Sequence, residues 1–236
     1  MYYGGYGYYS FDPTYILVII CAIVSLFASA RVEAVFSKYN RVASARGLTG
    51  AEAAQRILQS AGIYDVSVEH VSGKLSDHYD PRSKVLRLSD STYSSRSVAA
   101  IGVAAHECGH AIQHDVGYAP LSLRSTLVPL ANIGSKAAIP IILIGCFLSY
   151  NQTLIQIGII AFSLAVIFQL VTLPVEFNAS SRALALLREQ NILEDYESGM
   201  AKKVLSAAAM TYVAAAASSI IQLLRLVLLF GGRRRD

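Results

Sequence analysis

Apolar residues occur along this chain in long unbroken blocks, and those blocks predict most of its elements. Residues 13–30 (PTYILVIICAIVSLFASA) carry no charge, and neither do residues 153–173 (TLIQIGIIAFSLAVIFQLVTL). A helix needs about 20 apolar residues to cross a hydrocarbon core, so each block is long enough or nearly so. Just before the second lies AAIPIILIGCFLSY (137–150), which becomes a full span if its helix begins near Val128. Lys136 then falls inside that span and must snorkel or face a polar cavity. A fourth block, 204–230, is rich in alanine and then in leucine, with Arg225 near its end. It either spans completely or buries its first half and offers only the second to lipid.

The pattern changes between the first block and Leu127. Thr49-Gly-Ala-Glu52 places a hydroxyl N-cap three residues before a glutamate, a capping box that starts a helix running to Gly62. Tyr64 to His70 alternates apolar and polar residues, as a half-buried strand does. The sequence DHYDPRSKVLRLSD reads as a hairpin turning at Asp80-Pro-Arg-Ser83. Ser94 or Ser95 can cap the next helix, SRSVAAIGVAAHECGHAIQHD, whose middle is small and apolar like a core helix.

Charge gives the blocks an orientation. No Lys or Arg precedes residue 16, whereas Arg31, Lys38, Arg41 and Arg46 follow the first block. The positive-inside rule therefore puts the N-terminus outside and the segment after Arg31 in the cytosol. The uncharged turn Tyr150-Asn-Gln152 then fits the outer side, and Arg182 and Arg188 mark the return inside. Ala28-Ser-Ala30 resembles a signal-peptidase site, but the preceding stretch has no positive charge, so an uncleaved anchor is expected. The net charge of +4 is scattered apart from Arg233-Arg-Arg235, which suits lipid headgroups and excludes a nucleic-acid surface. Cys21, Cys108 and Cys146 have no spacing that suggests a disulfide framework or a cysteine zinc site.

Three of the five histidines lie in AHECGHAIQH. On a helix, His106 and His110 stand at i and i+4 on one face, where two imidazoles can share a zinc ion at about 2.0–2.1 Å. Glu107 is one residue further round, beside such an ion and not aimed at it. This is the HExxH arrangement, in which zinc polarises a water and the glutamate takes its proton. The bland alternative, two core histidines and a stray glutamate, would leave two buried imidazoles each needing a partner. A metzincin-type third histidine would fall at Val116 and is excluded. His114 is a further turn along, too far to share the ion, and suits a supporting contact or the surface. Glu176 in LPVEFNASSRA is the first carboxylate after Asp115 and lies on the same predicted side of the membrane. From position alone it is either the third ligand or a helix-starting glutamate favoured by the helix dipole.

HECGH, a long apolar hairpin and then VEFNASSRA resemble the membrane HtpX and CAAX-prenyl-protease type of gluzincin. The whole order, from one N-terminal span through DHYDPRSKVLRLSD and AAHECGHAIQH to LPVEFNASSRA, more closely resembles the YugP-like neutral zinc metallopeptidases of bacteria. That resemblance implies His106, His110 and Glu176 as ligands of one zinc ion and Glu107 as the base. Ser180 stands where the HtpX pattern has an aspartate that orients a ligand imidazole, so this role must pass to others, with Asn178, Ser180 and Arg182 as candidates. His78, Tyr79, Tyr118 and Arg182 are candidate donors to the transition-state oxyanion. The hairpin before the HExxH helix offers an edge on which an extended peptide could lie.

The expectation is thus a mostly α integral membrane protein with three to four transmembrane helices and a small α+β zincin-like catalytic unit. A Tyr/Gly-rich tail (1–12) precedes the first transmembrane helix (13–30) and the catalytic part (31–127). A transmembrane hairpin (128–173), a third-ligand helix (174–203) and a C-terminal hydrophobic helix with a basic tail (204–236) follow. The expected activity is zinc-dependent endopeptidase, with protein or peptide substrates and the bilayer as partners. A non-catalytic zinc-binding scaffold is the rival; a transporter fits poorly, with few spans and no inverted repeat.

Overall fold

A computed structural model describes residues 14–230; the Tyr/Gly-rich tail and Arg233–Arg235 lie outside the described residues. Four helices in it are long and apolar enough to cross a membrane: α1 (Thr14–Tyr39), α4 (Ala119–Phe147), α5 (Gln152–Glu189) and α6 (Asp195–Phe230). Between α1 and α4 come α2 (Gly50–Ser60), β1 (Ser67–Val71), β2 (His78–Asp80), β3 (Val85–Ser89) and α3 (Val98–Asp115). The molecule is mostly helical, with one small mixed sheet beside the membrane helices.

The membrane helices run past their apolar blocks, because nothing polar stops a helix whose outer turns find partners. The first extends nine residues beyond Ala30 to Tyr39, where Phe36 and Tyr39 bury against Ala99 and Val204. The α4 helix begins at Ala119, well before Val128. In α5, Pro174 does not end the helix and Glu176 does not begin one; a single helix runs from Gln152 to Glu189. A proline is tolerated in a spanning helix when its surroundings satisfy the freed carbonyl. Glu176 therefore lies in a helix interior, and the dipole explanation of its position falls away. The α4–α5 hairpin turns where expected, with Ser149 and Tyr150 at positive φ and Asn151 accepting from Leu154 N at 3.2 Å. Lys136 is exposed on α4, so snorkelling, and not a polar cavity, is what its position demands.

The fourth block lies within one unbroken helix, α6, which is long and apolar enough to cross a membrane. Its first turns pack against α3, with Ala201 across from Gly102. The remainder runs beside α1 (Ser25 Oγ to Ser218 Oγ, 3.3 Å) as far as Arg225, which donates to Thr14 Oγ1 at 3.0 Å. Gln152 donates to Phe230 O at 3.0 Å. The start of α1, the α4–α5 turn and the end of α6 therefore gather at one end of the bundle, and the sheet lies at the other.

The capping box forms as expected: Thr49 Oγ1 accepts from Glu52 N at 3.2 Å, and the Glu52 carboxylate accepts from Thr49 N at 2.8 Å. The β2–β3 hairpin also forms, its turn fixed by Asp80, which accepts from Ser83 Oγ and Arg82 N. Those bonds, Ser83 first, hold the Asp80 carboxyl down to about 2. The sheet order is β1-β3-β2, with β1 parallel to β3. Central placement buries Val85, Leu86, Leu88 and Ser89 on both faces, so β3 is no half-exposed strand. β2 is left as a free edge. Helix α3 is capped by Ser97, not Ser94 or Ser95: its Oγ accepts from Ala100 N at 3.1 Å, and Ser95 supports it.

Candidate metal centre and active site

A glycine decides how closely the two site-bearing helices meet. A Cβ on Gly109 would lie 2.5 Å from the carbonyl oxygen of Ala179, a backbone atom that cannot swing aside. With glycine there, α3 and α5 touch, and Glu176, one turn before Ala179, reaches both histidines of α3. Its Oε2 lies 3.3 Å from His106 Nε2 and 3.6 Å from His110 Nε2. The two imidazoles stand edge to face, 4.8 Å between centroids. The other carboxylate oxygen, Oε1, faces Arg124 on α4 at 3.4 Å. Glu176 is only 2% exposed, so its charge is matched by groups aimed at it from two helices, α3 and α4.

These residues fit a metal ion. Donor atoms sharing a tetrahedral zinc at about 2.0–2.1 Å stand about 3.4 Å from one another, close to the separations found. The ligand atoms of His106, His110 and Glu176 all lie within 4.8 Å of one another. The remaining ring nitrogens are already engaged: His106 Nδ1 with Ser180 Oγ at 3.1 Å and His110 Nδ1 with Gln113 Oε1 at 3.0 Å. For His110 this fixes the tautomer. The Gln113 amide donates to Val175 O and Asn178 Oδ1 at 2.8 and 2.9 Å, so its oxygen must face the ring and accept the Nδ1 proton. His110 Nε2 is then the ring atom that faces Glu176, able to bind a cation through its lone pair or to carry a proton that it donates to the carboxylate. The local field also favours a cation: burial works against a charged His110, yet bonding to the Glu176 carboxylate, helped by Glu107, carries its pKa above the usual value.

Other candidates fall at graded distances. Ser180 touches His106 directly. Asn178 acts one step away through Gln113, and Arg182 two steps away, donating to Asn178 Oδ1 at 2.8 Å. His114 is remote from the cluster, exposed, and bonded at Nδ1 to the Tyr79 hydroxyl at 2.9 Å. That hydroxyl is therefore committed elsewhere, and burial, followed by the charges of Asp65, Asp80 and Asp115, raises it to about 12. Tyr118 and Arg182 line neither pocket at the site.

Glu107 is 9% exposed and stands between two pockets, one more apolar than the other. One, of 370 Å³, lies between α1 and α6 and is walled by Val32, Phe36, Leu205 and Ala208. The other, of 380 Å³, lies between β2 and α4 and is walled by His78, Arg82, Arg124 and Ser125. His106, Glu107 and Tyr212 border both. The Tyr212 phenol is within electrostatic reach of Glu176 and Glu107. Gln113, Arg124 and Tyr212 are the members that sequence reasoning missed. Gln113 had left a signal, one turn after His110 on the same face; Arg124 and Tyr212 belong to the site only through packing of α4 and α6.

A family described as "Putative neutral zinc metallopeptidase" matches residues 14–231. A Bacillus subtilis (strain 168) protein named "Putative membrane protease YugP" is 49% identical over 223 residues, 94% of this chain and 99% of that protein. No solved structure matches the chain. Because the family match takes in every described element, and with it both helices of the His106–His110–Glu176 cluster, this chain belongs to the neutral zinc metallopeptidase family so described.

Proposed function

We propose that the protein is a membrane-embedded zinc endopeptidase in which His106, His110 and Glu176 hold one zinc ion and Glu107 is the general base. The observation that carries this reading is the sharing of Glu176 Oε2 between two histidine Nε2 atoms, beside a glutamate that borders two open pockets. Zinc bound there would supply a Lewis acid that polarises a peptide carbonyl and makes water a better acid. Glu107 takes a proton from the attacking water as its oxygen bonds to the carbonyl carbon. It then passes that proton to the amide nitrogen as the C–N bond breaks. The free edge of β2, which borders the polar pocket, suits an extended peptide lying as an added strand. Tyr212, which borders both pockets, is better placed than Tyr79, whose hydroxyl is bonded to His114, to donate to the developing oxyanion.

A structural zinc site would be closed by a fourth protein ligand; among the described residues the cluster holds three. Lys136 on an outward face and Arg225 beside Thr14 line no shared path for a transported solute. The test is Glu107→Gln, which cannot accept the proton. The variant should retain zinc and lose casein cleavage; undiminished cleavage would remove Glu107 from the mechanism.

The proposed orientation places the N-terminus outside and the sheet with the active site in the cytosol. It rests on the cations that follow the first block. Ser72 is exposed on the sheet side, so Ser72→Cys should resist an impermeant maleimide in intact cells and label after lysis. Prompt labelling in intact cells would put the site outside.

A further inference from the structure

On the face of the α1–α6 pair turned away from Glu107, the two helices enclose a second groove, of 450 Å³, within the range of about 300–1,000 Å³ usual for small ligands. Arg31 and Lys38 border it from α1, and Lys202 and Lys203 from α6. Its lining includes no carboxylate. Among the described residues none of the four cations forms an ion pair; the nearby Glu33 is instead taken by Lys74. Lys38 is exposed, with its ammonium 5.5 Å from the centroid of the Tyr39 ring. Ala207 and the half-exposed Met210, which follow Lys203 into the apolar block of α6, give the groove an apolar wall toward the membrane segments, and Val35 lies between Arg31 and Lys38.

The depth of the groove is set by the sequence. Arg31 is the first charge after the apolar block of α1, and Lys203 the last before that of α6. The cations thus ring the level where the helices leave hydrocarbon, on the sheet side of the bilayer. Four like charges held together without counter-ions repel one another unless an anion joins them. A soluble anion would use the cations and leave the apolar wall idle. A phospholipid uses both, with its phosphate among the ammonium and guanidinium groups and an acyl chain along Ala207 and Met210.

We propose that this groove is a binding site for one anionic phospholipid of the leaflet on the sheet side. It does not depend on zinc or on the peptidase reading.

Native mass spectrometry of the full-length protein released from nanodiscs of mixed phosphatidylglycerol and phosphatidylcholine would test it. The wild type should retain one phosphatidylglycerol per chain, saturably and at least tenfold in preference to phosphatidylcholine. The variant carrying Arg31→Gln, Lys38→Gln, Lys202→Gln and Lys203→Gln should lose that retention. Arg56→Gln with Arg96→Gln, which removes two exposed cations from the sheet side, should keep it. All four site changes are at a groove lip, and the wild-type competition stands even if the multiple variant is poorly produced. Equal retention of the two lipids by the wild type would overturn the proposal, as would full retention by the quadruple variant. Displacement of the lipid by millimolar inorganic phosphate would also overturn it, and would assign the groove to a soluble anion.

Discussion

The α3–α5 crossing and the pocket walls around it are built on opposite terms. At the crossing the polar atoms are buried and mutually bonded: Glu176 between two histidines and Arg124, His110 on Gln113, His106 on Ser180. The walls around it are open, come from four other elements and share Arg124 with the crossing. If these groups meet one small ion, as proposed above, they tolerate little displacement, which accounts for their being over-determined. Groups that must admit many side chains gain nothing from being fixed. Substitutions at the crossing should therefore remove metal and turnover, whereas those in the walls should change only what is turned over.

The strongest test of that division is Glu176→Gln, which replaces an anionic oxygen by a neutral amide and also strips Arg124 of its partner. Zinc affinity should fall by more than the 10–100-fold typical of supporting residues, measured by titration against a chelator. Glu189→Gln is the control, an exposed change on the same helix about 20 Å away at 1.5 Å per residue. Equal zinc retention by the two variants would leave the third ligand unassigned.

Gly109→Ala leaves every reactive side chain in place and disturbs only the approach of the helices. A Cβ 2.5 Å from a backbone oxygen forces α3 and α5 apart, and a displacement of about 1 Å can cost about 100-fold in rate. A loss of that order in kcat/KM, with helical circular dichroism retained, is expected. Gly199→Ala, where a Cβ meets nothing within 4 Å, should be silent.

How much of this was legible depends on whether a feature is local. The apolar blocks, the Thr49–Glu52 box, the Asp80 turn and the HExxH helix are each written within a few consecutive residues, and each formed where the chain predicted it. The extents of the membrane helices were not legible. A helix stops only when no partner rewards another turn, and the partners of Phe36 and Leu205 lie far along the chain. Pro174 misled for the same reason, since its cost depends on surroundings that the sequence does not show. The parallel pairing of β1 with β3 leaves the same alternation as an antiparallel one. Arg124 and Tyr212 looked like ordinary residues of α4 and α6 until α5 brought them to one carboxylate.

Gln113→Ala sharpens the comparison from within the crossing. It removes the acceptor that holds the His110 Nδ1 proton and the donor to Val175 O and Asn178. Zinc affinity should drop about 10–100-fold, with Glu107-dependent cleavage restored by excess zinc. Gln113→Glu keeps an acceptor for the ring and should retain affinity better than alanine. If Gln113→Ala and Gln113→Glu behaved alike, the bond to His110 would not be what matters.

The smallest effect belongs to the walls, and it separates the two regions most cleanly. Ala208 lies on α6 in the apolar pocket beside His106 and Glu107 and touches neither the metal cluster nor its supports. Ala208→Phe fills part of the 370 Å³ cavity with a ring. If the cavity receives a substrate side chain next to the scissile bond, a leucine there will lose its place while an alanine will still fit. A methylene in such a pocket discriminates by about 10–200-fold, and partial filling of an open cavity belongs at the low end. The kcat/KM ratio of paired peptides differing only in that residue should shift about tenfold toward alanine, with zinc affinity unchanged. An equal loss for both peptides would mean that the ring disturbs the HExxH helix itself, and the distinction between a fixed crossing and tolerant walls would fail at this wall. A shift confined to the leucine peptide would place the specificity of the enzyme on two membrane helices, α1 and α6, and its chemistry on the crossing of two others.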